Sequence, residues 1–134
     1  MDRDALIARL KAELATRTPP IAFAYLFGSF GRGDQGPKSD VDLAVFHCAP
    51  PDPGLAGPIL DLEAHLARDL RREVQVVDLR KAPVDLVFRI LRDKVVLVDR
   101  DKSARIGFEV HARNEYWDLK PILDLVRKKR RSAG

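Results

Sequence analysis

Near the start of the chain, leucines recur at every fourth position: Leu6, Leu10 and Leu14, with Ala5 and Ile7 beside them. That spacing draws one apolar stripe along a helix over residues 2–15, which Pro19-Pro20 stops. The pattern then changes. Ile21 to Phe27 (IAFAYLF) is apolar without interruption and of strand length, as expected for a strand buried in the middle of a sheet. Gly28-Ser29-Phe30-Gly31-Arg32-Gly33 breaks it. From Asp40 to His47 (DVDLAVFH) the residues alternate, with Val41, Leu43 and Val45 on one side and Asp40 and Asp42 on the other. This reads as a second strand with an acidic face at its start.

Pro50-Pro51 and Pro53-Gly54 mark a loop from Cys48 to about Gly57. Leu62, Leu66 and Leu70 then predict a helix over 58–71. Glu73 to Leu79 (EVQVVDL) is a third strand, Ala82-Pro83 opens a helix through Leu86, Ile90 and Leu91, and Val95 to Val98 is a short fourth strand. From Asp101 a long helical pattern runs to the tail on Ile106, Val110, Leu119, Ile122, Leu123 and Val126, and Pro121 is expected to kink or restart it. No repeat or internal boundary interrupts this order, so residues 1–134 read as a single minimal domain. The succession α-β-β-α-β-α-β-α predicts an α/β (α+β) fold: a mixed β-sheet of about four strands with helices packed on one face. The link between the first two strands, about a dozen residues, exceeds an ordinary hairpin connection, and such length often accompanies function.

At 46% hydrophobic and 33% charged, the chain has a globular profile, and no run reaches the ~18 apolar residues of a membrane span. The charged start, Met1-Asp2-Arg3-Asp4, does not read as a signal peptide. One cysteine, Cys48, excludes an intramolecular disulfide and a cysteine-built zinc cluster, and a reducing, cytoplasmic setting is expected. The net charge of +4 invites a nucleic-acid reading. Yet Arg127, Lys128, Lys129, Arg130 and Arg131 stand together in an acid-free tail at 127–134. Without them, 19 basic residues face 20 acidic ones. The basic character belongs to a solvated end, and no nucleic-acid substrate is expected.

Chemistry gathers at Gly28-Ser29, ten residues, then Asp40-Val41-Asp42. Gly28 allows a tight turn off a buried strand and a close approach of ligand to backbone. Ser29, with a helical turn expected after it, offers a hydroxyl beside backbone N–H groups, a combination that holds phosphate oxygens, and Arg32 adds a fixed positive charge nearby. Asp40 and Asp42 project from one strand face, where two like charges are costly to hold unless a divalent cation screens them. Two carboxylates completed by phosphate oxygens and water suit Mg²⁺. At average usage these four residues align by chance at about one start in 10⁵, and their placement at a strand end and the next strand's start sharpens the match further.

On these residues the chain resembles the minimal nucleotidyltransferases (MNT), small members of the DNA polymerase β-type superfamily marked by GS-x10-DxD. Gly28, Ser29, Asp40 and Asp42 fit without gaps, as do the flanks Gly31-Arg32-Gly33 and Ser39-Asp40. The likeness continues through Val74–Leu79, Ala82-Pro83, the VVLV strand and a C-terminal helix carrying Tyr116. The resemblance implies a nucleotidyltransferase fold. It also implies metal binding by Asp40 and Asp42, ATP held through Gly28 and Ser29, and a third carboxylate on a later strand; the place of Arg32 between the two motifs adds it as a candidate phosphate contact. Many such proteins are antitoxins encoded beside HEPN-domain toxins, which they neutralise by binding and by transferring AMP to a toxin tyrosine. An Mg²⁺-dependent transferase acting on a HEPN partner is the function the resemblance implies.

The third strand departs from this pattern. Relatives commonly read V-D-[LV]-V there, and the matching position is Gln75, between Val74 and Val76. An amide cannot act as a base. Either the third acid comes from Asp78, which needs a bulge to reach the same face, or from Glu73, or activity is reduced. A binding-only antitoxin and a small-molecule nucleotidyltransferase are the alternative readings. His47, His65 and His111 lack metal-ligand spacing, Cys48 has no activating partner, and Lys38 reads as a solvated loop residue. Phe108, Tyr116, Trp117, Leu119, Ile122, Leu123 and Val126 exceed what one stripe over a small sheet requires. Part of that segment, with the basic run, is expected to be exposed and to meet the partner.

Overall fold

The computed structural model describes residues 2–50 and 57–133; the Pro51 and Pro53-Gly54 turn signals lie outside them. The apolar run forms β1 (Ile21–Phe27), buried in all but its last residue. It has an antiparallel partner on each side, β2 (Val41–His47) and β4 (Val95–Asp99), and β3 (Val74–Asp78) adds parallel to the far edge of β2. The order is β3-β2-β1-β4, a mixed four-stranded sheet.

Helices cover both faces of this sheet, which corrects the expectation of one covered face. On one side α1 (Arg3–Ala15) and α3 (Gly57–Leu70) bring Leu6, Leu10, Leu14, Leu62 and Leu66 onto Leu26, Val41, Leu43, Val45, Val74 and Val76. On the other, α4 (Val84–Asp93) and α5 (Lys102–Ala133) set Val87, Ile90, Leu91 and Ala112 against Phe23, Tyr25 and Ala44. The reason lies in β1. A strand apolar on both sides exposes one face to water unless each face has its own helices, and each buried leucine contributes about 1.5–3 kcal/mol.

A five-residue helix, α2 (Gly28–Arg32), sits directly between β1 and the segment leading to β2. α5 runs through Pro121 without restarting. Proline there removes one backbone bond, the one to the Trp117 carbonyl. Pro121 and Trp117 are both exposed, so water can serve that carbonyl. The inner side of α5 holds Phe108, Glu109, Ala112, Tyr116, Leu119 and Leu123. Glu109 is buried there and met by Lys94 and by Arg105 at 2.9 Å. Beyond Leu123 the described side chains are exposed, Leu125 at 67% among them. The expected exposure of this segment is therefore seen. Among the described residues no helix is long and apolar enough to cross a membrane.

Candidate active site

Because Val41, Leu43 and Val45 take the α1/α3 face, alternation turns Asp42 to the face that α4 covers, with Asp40 two residues before it. Asp42 stands opposite Phe27 on β1, immediately before the turn. That turn requires glycine. Gly28 has φ +65°, and a Cβ on it would lie 2.3 Å from Asp42 Oδ2. The carboxylate therefore occupies the space a side chain at position 28 would fill.

The short helix after the turn is tied down at its C-terminal end. The amides of Gly33 and Asp34 both donate to the Ser29 carbonyl, at 2.9 and 3.0 Å. Arg3 donates from Nε to the Phe30 carbonyl at 2.7 Å and from Nη2 to that of Gly31 at 3.1 Å. Gly33, at φ +84°, closes the helix in the left-handed conformation. On the approach to β2, Arg72 Nη1 donates to the Ser39 carbonyl at 2.7 Å and its guanidinium lies over the Phe30 ring at 5.2 Å. Arg72 thereby sets the segment that delivers Asp40.

Together these elements enclose a cleft of about 400 Å³. Gly28, Ser29, Arg32, Asp40 and Asp42 line it together with Leu86, Arg89, Arg92 and Asp93 of α4; Asp42 is half-buried there and Asp40 exposed. The structure thus brings together the five residues expected to carry metal and nucleotide. It keeps the sixth apart. Asp78 pairs in register with Val45, alternates with Val74 and Val76 toward the other face, and accepts from its own turn, Arg80 N–H, at 3.0 Å. No bulge interrupts the β2–β3 register to bring it round. Gln75 is the residue beside Asp42, and Glu73 is exposed just before β3, outside the cleft.

Burial, and then the charge on Asp40, hold the Asp42 carboxyl above its ordinary value, with Arg32 pulling the other way. Among the described residues no side chain hydrogen-bonds to either carboxylate, and no three or more His, Cys, Asp or Glu side chains converge as a metal cage. A half-buried, unpaired carboxylate beside a like charge suits a divalent cation that draws its other ligands from phosphate and water. The residues present fit Mg²⁺.

Sequence reasoning missed Arg89, Arg92 and Asp93. Asp93 is buried, accepting from Arg32 Nη1 and from Arg92 Nε, each at 3.0 Å. Burial alone would raise its pKa; the bonds from Arg92 and Arg32 outweigh that and hold it below the ordinary carboxylate range. The other candidates stay outside the cleft. His47 is buried at the far end of β2, His65 and His111 pair with Glu13 and Glu115, and Lys38 and Cys48 are exposed. Tyr116 stacks on Phe88 at 3.7 Å, whereas Trp117 is 58% exposed.

A family model described as polymerase beta, nucleotidyltransferase matches residues 9–103. A search of curated proteins finds no match. Among solved structures, one of a toxin–antitoxin with AMP-PNP matches at TM-score 0.68 and 24% identity, covering 95% of this chain and 99% of that one. A toxin–antitoxin MntA-HepT structure matches at TM-score 0.63 and 23% identity, over 93% and 97%. A tri-AMPylated Shewanella oneidensis HEPN toxin in complex with MNT antitoxin matches at TM-score 0.63 and 23% identity, over 93% and 96%. These structures share the fold. With the family model spanning most of the chain and its segment containing both the Gly28-Ser29 turn and the Asp40/Asp42 pair, the chain belongs to the polymerase β nucleotidyltransferase family.

Proposed function

We propose that this chain transfers AMP from ATP to a tyrosine of a HEPN-domain toxin, in the cytoplasm and in an Mg²⁺-dependent reaction, and so acts as the antitoxin of the pair. The observation that carries the reading is the cleft itself, two unpaired carboxylates facing a glycine-serine turn with three arginines on its walls. The AMP-PNP and the AMPylated HEPN toxin in structures of the same fold support it.

In this reading Asp40 and Asp42 would hold Mg²⁺, and the ion would supply charge neutralisation at the transferred phosphoryl group. Ser29 donates its hydroxyl to a phosphate oxygen, Gly28 leaves room for the polyphosphate against the backbone, and Arg32, Arg89 and Arg92 balance its negative charge. The tyrosine oxygen attacks the α-phosphorus in line. The bond from that phosphorus to the bridging oxygen breaks, pyrophosphate leaves, and the hydroxyl proton passes to solvent. Alignment and charge balance, rather than a covalent enzyme intermediate, carry such a transfer.

Gln75 beside Asp42 favours a second reading, in which catalysis is lost and the toxin is neutralised by occlusion. Parallel reactions with α-labelled and γ-labelled ATP separate the two. Transfer leaves the α-label on the HEPN protein and none of the γ-label. Neutralisation of the toxin with no α-label retained supports occlusion.

A further inference from the structure

Asp93 is the most deeply buried carboxylate of the cleft, its side chain 6% exposed, yet both its partners, Arg32 at 44% and Arg92 at 57%, reach solvent. Its place is rigidly set. A Cβ on Gly31 would lie 2.5 Å from the Asp93 carbonyl and 2.9 Å from that of Leu26, so α2 is pressed without a gap between β1 and the end of α4. The residue after that glycine is Arg32. Its Nε donates to Asp34 and its Nη1 to Asp93, which leaves Nη2 without a partner among the described residues. Arg32 Nη1 and Arg92 Nε both donate to the Asp93 carboxylate, each at 3.0 Å, and that shared carboxylate lets two cations stand side by side. A polyphosphate would meet both at once.

Resting on the nucleotide-binding reading above, the geometry points to Asp93 as a positioning residue: it holds Arg32 of α2 and Arg92 of α4 as a fixed pair of forks for the polyphosphate of the nucleotide. Its influence then passes through the arginines. Removing it should weaken nucleotide binding while leaving the turnover of saturated protein little changed, because it touches neither the α-phosphorus nor the acceptor.

The test is a double-mutant cycle on the full chain, read by calorimetric titration with Mg²⁺-ATP and by KM and kcat for transfer to the HEPN partner. Asp93→Asn and Arg32→Ala should each raise Kd about tenfold, the loss of one charge-assisted contact. The double variant should bind no worse than about the weaker single one. Losses that multiply would show that Asp93 acts independently of Arg32, and a lowered melting temperature with unchanged Kd would show a residue that serves only the fold; either overturns the proposal. If Asp93→Asn does not fold by circular dichroism, Arg32→Lys and Arg92→Lys carry the test. They keep charge at exposed positions but lose the planar fork, and unchanged Kd in both overturns it. Asp42→Asn is the control for the underlying reading. Its failure to weaken binding, or a wild-type chain that binds no Mg²⁺-ATP, refutes that reading and this inference with it. Normal Asp42 dependence with additive effects at Asp93 refutes the inference alone.

Discussion

Gly28 has two independent reasons to be glycine. Its φ of +65° costs an L-residue about 1–2 kcal/mol, and its missing side chain makes room for Asp42 Oδ2. Gly28→Ala should therefore lower stability by at least that amount and displace the Asp42 carboxylate, so nucleotide-induced stabilisation should fall as well. Thermal melts with and without Mg²⁺-ATP measure both. Asp42 makes the opposite kind of prediction. Its carboxyl is held above the unfolded value. The native state therefore binds more protons than the unfolded one across the interval between the two pKa values. The penalty for ionising Asp42 is fully present above that interval and disappears as pH falls through it. Asp42→Asn should raise the melting temperature of the nucleotide-free chain at pH 7, and the advantage should shrink at acid pH. At the same time the variant should lose stabilisation by Mg²⁺-ATP. A variant less stable than wild type at pH 7 would show that Asp42 is held by favourable contacts rather than by function. Residues that obey a fixed spacing, Gly28, Ser29, Asp40 and Asp42, were legible in the chain. Asp93 was not, because its partner Arg32 lies far away in sequence and only folding brings the two together.

At the scale of elements, the pairing of α2 with α4 makes the cleft. A five-residue helix is too short to hold itself, and Arg3 of α1 supplies two of its anchoring bonds. Arg3→Ala should cost about 1–2 kcal/mol in denaturant titration and weaken nucleotide binding from outside the cleft; unchanged values for both would mean that α2 is set by packing alone. The pattern of apolar residues marks every strand and the four longer helices, as an unbroken run in β1 and as recurring leucines in α1 and α3. Periodicity does not mark α2, whose single buried residue, Phe30, carries no period; the helical turn expected after Ser29 is nevertheless there. The restart expected at Pro121 does not occur, because a proline that leaves only an exposed carbonyl unpaired need not end a helix. The outer part of α5 carries the remaining prediction at this scale. Burial stops at Leu123, while Ile122, Leu125 and Val126 stay exposed beside the basic run. A chain ending at Lys120 should keep its fold by circular dichroism and bind the HEPN partner far less tightly in a pull-down. Full-strength binding would move the interface to the cleft or the sheet.

For the whole molecule, two covered faces and a mixed sheet place the end of β1 and the start of β2 beside α4, and the cleft lies where those three meet. The fold class could be read from the order of elements. The second covered face could have been read too, from a β1 with no polar side. The third carboxylate was sought on β3, where Asp78 points away, whereas the third acid of the cleft comes from α4 and is already bound by two arginines. In the proposed reaction two free carboxylates, Asp40 and Asp42, would then hold the metal. The most direct test of that account is intact-mass spectrometry of the HEPN partner after incubation with this chain and ATP. The account predicts a mass increase of one or more AMP groups that requires Mg²⁺ and vanishes with Asp40→Asn or Asp42→Asn. An unmodified partner with the wild-type chain, or modification that persists in both variants, would contradict it.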